Sequence, residues 1–257
     1  MTALPAATRS GSGYWLASMV SMLRWQLTSL RLVFPVLLVV QVLIAAGFTV
    51  GIGLFFDEVP APVALFLSTG ASVITLITVG IVVAPQLIAD EKASGTYDFT
   101  WSLPCPRSAA VAAWVVVNAV VAIPSMVAAL AVGSWRYGLS FQVNWRVATA
   151  VALVLTCASL IGYALAHGIP NPNLTQILAQ VFAFTIFGFT PINYPIDNLP
   201  GWLASLHRLL PFYHMGVVVR DGLTSGLVGE IAVSYLTLGA WTLIVGGITA
   251  RALRQRR

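Results

Sequence analysis

The sequence predicts an all-α integral membrane protein with six transmembrane helices. Hydrophobic residues make up 58% of the 257 residues and charged residues only 8%, whereas about a quarter of the residues in a soluble domain are charged. Mean hydropathy is +0.90. Six apolar runs are long enough, or nearly so, to cross roughly 30 Å of hydrocarbon as helices of about 20 residues. Helices suit that environment because they satisfy their backbone hydrogen bonds internally.

The whole chain, residues 1–257, is predicted to form one transmembrane domain. Residues 1–13 are small and polar, which predicts a terminal tail. Over residues 14–32, polar side chains at spacings of three and four oppose an apolar face, which predicts a helix lying in the membrane interface. The alternative is a simple extension of the first span. The six predicted spans are residues 33–55, 63–87, 109–132, 147–166, 174–190 and 231–250.

A polar island, residues 90–107, separates the second span from the third. It holds the only lysine of the chain and three of its eight acidic residues, so it must lie in water. Gly95 predicts the end of the incoming helix, and Thr96 an N-cap for a short new one. Tyr97 and Trp101 are four residues apart and therefore share a face of that short helix. An ordinary solvated loop is the alternative, but the order of turn, short aromatic helix and stop favours a surface held by another protein.

A second unusual stretch, residues 191–223, follows the fifth span. Pro191, Pro195, Pro200 and Pro211 divide it into pieces too short to cross a bilayer. We therefore expect a re-entrant helical hairpin that enters the outer leaflet and returns, surrounded by protein or by a wet cavity. A loop lying on the membrane surface is the alternative.

The basic residues predict the orientation of the chain in the membrane. With both termini inside, nine basic residues lie on the cytoplasmic side, namely Arg9, Arg24, Arg31, Lys92, Arg107, Arg251, Arg254, Arg256 and Arg257. Four lie outside, namely Arg136, Arg146, Arg208 and Arg220. We therefore expect both termini and the polar island in the cytoplasm, and we interpret the positive charge as an orientation signal, without nucleic-acid binding.

Several kinds of chemistry lack the residues they need. A P-loop requires Gly-Lys before Ser or Thr, and the only lysine follows Glu91. The histidines and cysteines show no metal-ligand spacing. We therefore predict no catalytic, cofactor or metal site on this chain. The absence of internal repeats and of charge in mid-span argues against a secondary transporter, and a membrane-embedded enzyme would need a nucleophile or carboxylate cluster that we do not find.

Four polar residues, Gln41, Asn118, Gln176 and Gln180, lie within or beside the spans. The favoured interpretation is that they hydrogen-bond between helices. The alternative is that some of them line a substrate path, for which the candidates are Gln41, Asn118, Gln180 and Phe184.

Two groups of residues together resemble the permease subunit of type-2 ABC transporters, the exporters of drugs, lipids and polysaccharides. The first group lies between spans two and three: Glu91-Lys92, Gly95-Thr96, Leu103-Pro104 and Arg107. The second follows span five: Pro195-Ile196, Leu199-Pro200, Trp202-Leu203 and Pro211. The six-span size and the N-terminal interfacial helix also match. One departure is the segment 98–102, DFTWS, where such proteins more often carry an acidic-aliphatic run.

The resemblance implies a permease of an ATP-driven exporter in the inner or plasma membrane of a prokaryote. Two permease copies, identical or paralogous, would pair with two copies of a separate P-loop ATPase that holds ATP and Mg. The short helix of the polar island would be the coupling helix, with the contact residues Glu91, Gly95, Thr96, Tyr97, Phe99, Trp101 and Arg107. The outer gate would include Pro195, Pro200, Trp202 and Pro211.

The expected substrate is an amphipathic small molecule or a lipid, because no extracytoplasmic domain fits in the short outer loops. The alternative is a lipid-linked polysaccharide. A glycan path needs stacked aromatic rings, for which the candidates are Phe182, Phe184, Phe187, Phe189 and Tyr194.

Overall fold

The computed structural model describes residues 11–51, 53–55 and 58–255. The described residues form α-helices and short helical turns without a strand. The helices are α1 (Ser12–Ser29), α2 (Phe34–Ala46), α3 (Ala61–Thr78), α4 (Ala84–Ser94), α5 (Thr96–Ser102), α6 (Arg107–Tyr137), α7 (Arg146–Gly168), α8 (Pro172–Phe189), α9 (Gly201–Leu209), α10 (Pro211–Leu223) and α11 (Ile231–Gln255). Residues 1–10 of the predicted tail lie outside the described residues, as do part of the turn after the first span and the last two arginines. Ser12 and Gly13, which the prediction assigned to the tail, belong to α1.

Six helical stretches are long and apolar enough to cross a membrane, which confirms the predicted all-α class and the number of spans. They are Phe34–Gly51, Ala61–Ser94, Arg107–Tyr137, Arg146–Gly168, Pro172–Phe189 and Ile231–Leu253. The second stretch is the longest of the six, at 34 residues. It continues well past the apolar run, so the polar island begins as helix.

The second stretch also forms the centre of the bundle, with α3 packed against α2, α6, α7 and α10. A π-helical turn, Val79–Val83, joins α3 to α4. Pro85 follows this turn and lacks the N–H that a regular helix would donate there, which is a common reason for such a bulge. Close to it, Gly80 and Gly162 bring the backbones of this stretch and α7 into contact, since a Cβ on Gly162 would overlap the Gly80 carbonyl oxygen.

The helix predicted before the first span is a separate element. Turns at residues 30–33 divide α1 from α2. It packs across the start of α6. The Tyr14 hydroxyl donates to the Pro104 carbonyl oxygen, and Trp15 Nε1 donates to Ser108 Oγ at 2.9 Å.

The two short helices α9 and α10 form a hairpin after α8, divided at the predicted prolines. Pro200 precedes α9 and Pro211 is the first residue of α10, a position where the missing proline N–H costs nothing. α10 is almost entirely buried and contacts α3, α7 and α11. We call the end of the bundle that carries α5 the α5 end, and the end that carries α9 and α10 the hairpin end.

Candidate functional site

The turn before α5 is set by Gly95. Its φ of 78° lies in the left-handed region, which glycine enters without steric cost. The turn swings the chain into α5, and extended backbone at Leu103 ends the helix. Thr96 is the first residue of α5 and its side chain makes no capping bond, so the predicted Thr96 N-cap is wrong; Gly95 occupies that position.

One face of α5 is packed inward against the end of α7. The ring centroids of Tyr97 and Trp101 lie 5.5 and 5.7 Å from that of His167. His167 in turn stacks on Tyr163 at 3.7 Å. The Arg107 guanidinium lies 3.9 Å from the centre of the Trp101 ring and donates to the Trp101 carbonyl oxygen at 3.0 Å. These contacts fix the inner face of α5 on the bundle.

Lys92, on the last turn of α4, is attached to the end of α7. Its Nζ donates to the carbonyl oxygen of Ala166 and, at 2.7 Å, to that of Ile169. The last carbonyls of a helix have no partner within it, and a lysine there also meets the negative end of the helix dipole. α4 and α7 are therefore joined beside α5.

A small cavity of about 30 Å³ lies between α1, α4, α5, α6 and α7. Gln26 lines it, is buried, and has no hydrogen-bond partner for Oε1, so the space suits one or two water molecules. Glu91 and Cys105 also line the cavity. Burial raises the pKa of the Cys105 thiol, which lowers the fraction of reactive thiolate.

The outer face of α5 carries the residues that remain available to a partner. Phe99 is 54% exposed, and its ring centroid lies 5.9 Å from that of Trp25 on α1. Asp98 and Thr96 are exposed beside it. Tyr97, by contrast, is only 7% exposed, and its predicted role as a contact residue stays a prediction.

Three other predicted contact residues are also turned toward the chain itself. The Arg107 guanidinium packs on the Trp101 ring, and Glu91 lines the cavity. The physical reason is the same for all of them. A seven-residue helix resting on a bundle presents only about half of its surface, and the aromatic side chains that share the inner face are buried there.

The predicted gate residues lie on the hairpin, with different exposures. Trp202 is 71% exposed, and Pro195 and Pro200 are also exposed. Pro211 is buried at the start of α10. Trp202, Pro195 and Pro200 are therefore available at the surface, whereas Pro211 lies inside the bundle as the first residue of α10.

The candidates for a substrate path divide into two pairs. Gln41 Nε2 donates to the Thr75 carbonyl oxygen at 3.1 Å, and Asn118 Nδ2 donates to Ser159 Oγ at 2.8 Å. Both amides are buried between helices, so neither lines a surface of this chain, because a buried amide needs a fixed partner.

The second pair, Gln180 and Phe184, is exposed one turn apart on α8. The fourth polar residue of the spans, Gln176, donates to Asp90 Oδ1 at 2.8 Å.

The sequence interpretation missed Arg220, which it counted as an outer-loop charge. Arg220 is fully buried within α10. Its guanidinium donates to Thr69 Oγ1 at 3.0 Å and to the Ile192 carbonyl oxygen at 2.5 Å, and it lies 3.6 Å from the centre of the Phe66 ring. The three valines immediately before Arg220 were the available signal, since a charge that interrupts an apolar run inside a membrane protein marks a buried partner.

Comparison with known proteins agrees with this architecture. No curated protein matches the chain. A family model described as ABC-2 family transporter protein matches residues 61–251, a range that contains α5, the hairpin, four of the six long helices and most of α11. The chain therefore belongs to the ABC-2 transporter family, as a multi-pass transmembrane permease component that works with an ATPase subunit of an ABC transporter.

Proposed function

We propose that this permease is part of an exporter that moves an amphipathic small molecule or a lipid outward, driven by ATP hydrolysis on the partner. Two permease copies, identical or paralogous, would assemble with two ATPase subunits that hold ATP and Mg, and this chain itself would need no cofactor. The observation that carries the proposal is α5, a short helix with an exposed Phe99 and a buried opposite face.

The shape of α5 suits the transfer of force. Because Tyr97, Trp101 and Arg107 hold its inner face on the bundle, a load applied at Phe99 displaces the bundle instead of rotating the helix. Exposed aromatic rings are typical anchors of protein interfaces. Asp98 and Asp90 are exposed nearby, so we expect the partner's groove to be apolar with basic residues at its rim, which would set register more than affinity.

The orientation supports the same assignment. The excess of basic residues on the α5 side supports a cytoplasmic location for both termini and α5, where an ATPase subunit would have access to ATP. The hairpin then lies at the outer leaflet of a prokaryotic inner membrane and forms the outer gate, with Trp202 at its surface.

The aromatic side chains of α8 favour a lipid-like substrate over a glycan. Phe187 packs on Phe48 with ring centroids 5.4 Å apart, and Phe182 packs on Phe212 at 6.5 Å. These rings pack against the core of the bundle. Of the five candidates only Phe184 and Phe189 are exposed, and they are five residues apart on α8, so they form no continuous row for stacking on sugars. Phe184 is 73% exposed, and with Gln180 it offers the mixed apolar and polar contact that an amphipathic molecule needs.

The test is to co-express the tagged permease with a stand-alone P-loop ATPase subunit of the ABC type from the same genome, and to measure co-purification and ATP-dependent transport in inside-out vesicles. We expect Phe99→Ala to reduce ATPase capture and transport at least tenfold without lowering thermal stability. Phe189→Ala, which removes a similarly exposed phenylalanine at the hairpin end, is the control and should leave ATPase capture unchanged.

Two results would contradict the proposal. One is the absence of ATPase in the purified wild-type sample. The other is transport by the purified permease alone, which would favour a secondary transporter.

A further inference from the structure

The helix α7 joins the two ends of the molecule without interruption, as does its neighbour α11. It runs from Arg146 to Gly168, about 35 Å at 1.5 Å per residue, and its sequence contains no proline. Two other routes that leave the α5 end, the second span and α6, are less regular. The second span is interrupted by a π-helical turn at Val79–Val83, and α6 contains Pro124. A bend or bulge absorbs displacement that a straight helix passes on.

At the α5 end, α7 is attached to the candidate coupling elements by two kinds of contact. Lys92 donates to the last carbonyl groups of α7, and His167 stacks among the rings of Tyr97 and Trp101. Displacement of α4 and α5 therefore acts directly on the end of α7.

At the hairpin end, the start of α7 is attached to the end of α10. Arg146 forms an ion pair with Asp221 at 3.3 Å. A Cβ on Gly222 would lie 2.6 Å from Val147 Cα, so the backbones touch. The backbone N–H of Asn144 donates to the Gly222 carbonyl oxygen at 2.9 Å, and the Asn144 side chain donates to the Asp221 carbonyl oxygen at 2.8 Å. The ion pair alone would be a weak attachment because Arg146 is half exposed, but these contacts reinforce it.

We propose that α7 carries the displacement of α5 to the outer hairpin, and that Lys92 and Asp221 are the positioning residues at its two ends. The inference rests on the proposed function, because it assumes that an ATPase moves α5. Arg220, the neighbour of Asp221, holds the same helix to α3 through Thr69. Arg220 and Asp221 therefore attach the end of α10 to α3 on one side and to α7 on the other. A shift of α7 then changes the position of the hairpin relative to α3.

The test uses a reporter on the hairpin. Ser205→Cys places a thiol on the exposed face of α9, and its rate of reaction with a membrane-impermeant maleimide is compared with and without vanadate-trapped nucleotide on the assembled complex. In the otherwise wild-type complex we expect nucleotide trapping to change the rate at least threefold.

Lys92→Met should abolish that change, while the ATPase still co-purifies and hydrolyses ATP. Lys92→Arg, which keeps donors for the two carbonyl groups, should restore it. Arg31→Met removes an exposed positive charge from the same side and should leave the nucleotide-dependent change intact. Loss of the hairpin response with ATP hydrolysis preserved is a result that a general loss of stability does not produce.

The hairpin end is tested separately by Asp221→Asn, with Asp197→Asn as the control on the same side. We expect Asp221→Asn to reduce the nucleotide-dependent change and Asp197→Asn to retain it. If Lys92→Met does not assemble, Asp221→Asn decides the matter, because it leaves the α5 end intact. A full response in assembled Lys92→Met, or in Asp221→Asn, overturns the inference.

The two proposals fail in different ways. If the reporter in the otherwise wild-type complex does not respond to nucleotide, or no ATPase assembles, the exporter assignment fails first. If that reporter responds and the variants respond equally, only the role of α7 is refuted.

Discussion

At the scale of single residues, two basic side chains, Lys92 and Arg220, connect separate helices of this permease. Lys92 binds carbonyl groups at the end of α7, and Arg220 binds Thr69 Oγ1 and the Ile192 carbonyl oxygen. In the part of the chain that the structure describes, no carboxylate forms an ion pair with Arg220. Its charge is stabilised by neutral oxygens and by the face of Phe66, an arrangement that is costly to disturb because the acceptors are themselves buried.

Replacing Arg220 by alanine is expected to lower the free energy of unfolding by about 3 kcal/mol, because the change opens a cavity and leaves buried acceptors unpaired. Thermal unfolding in mild detergent, followed by fluorescence-detected chromatography, measures the effect. Arg208→Ala removes an exposed arginine of α9 and should have little effect. Equal stability of the two variants would mean that the Arg220 contacts contribute nothing.

Gly95 is expected to matter for its backbone conformation alone. Its φ is 78° and a Cβ there would meet no atom within 4 Å. Gly95→Ala and Gly95→Trp should therefore cost a similar amount, about 1 kcal/mol each, since the left-handed strain is the same for both. Gly229→Ala, where the space is also open and φ is not in the left-handed region, is the control. A much larger cost for tryptophan would show that the site is crowded.

At the scale of elements, the close approach of α7 to the second span explains why α7 keeps its place. Gly80 and Gly162 lie at the crossing, and a Cβ on Gly80 would lie 2.8 Å from the Ser159 backbone nitrogen. Small residues at such crossings let backbones pack closely, which is the main source of attraction between helices in a bilayer.

Gly162→Val is therefore expected to prevent correct packing of α7, because the branched side chain would overlap the Gly80 carbonyl group. We expect the yield of monodisperse protein to fall at least fivefold. Gly239→Val, on α11 where a Cβ has open space, should keep the normal yield. Normal assembly of Gly162→Val would require the two helices to separate, and a structure of that variant would show it.

At the scale of the whole molecule, the candidate coupling surface and the hairpin lie at opposite ends of the bundle. The distribution of basic residues predicts which end is cytoplasmic. The prediction concerns the entire chain, because an even number of spans places both termini on one side.

Single cysteines provide the measurement. Ser102→Cys on α5 and Ser205→Cys on α9 are both exposed positions. In intact cells we expect an impermeant maleimide to label Ser205→Cys alone, and in inside-out vesicles Ser102→Cys alone. The native Cys105 should react slowly at neutral pH because burial raises the pKa of its thiol, and Cys105→Ser removes it entirely. The reverse labelling pattern would show that the orientation is wrong.

Much of the candidate site was predictable from local sequence. Gly95 and the prolines after α5 mark its boundaries through their backbone chemistry, which acts within a few residues. The exposure of α5 was not predictable in the same way. Tyr97 and Phe99 are both aromatic, and only the position of His167 on another helix determines that Tyr97 is buried and Phe99 exposed.

The sequence by itself determined that this chain has six helices long and apolar enough to cross a membrane, because hydrocarbon imposes length and composition on each span separately. It also marked the polar island and the proline-divided hairpin. Only the tertiary structure decided that Lys92 and Arg220 are attachment points and that α7 connects the two ends. Those facts depend on contacts between residues as far apart as Thr69 and Arg220, and such contacts leave no local pattern because a hydrogen-bond partner is set by helix packing.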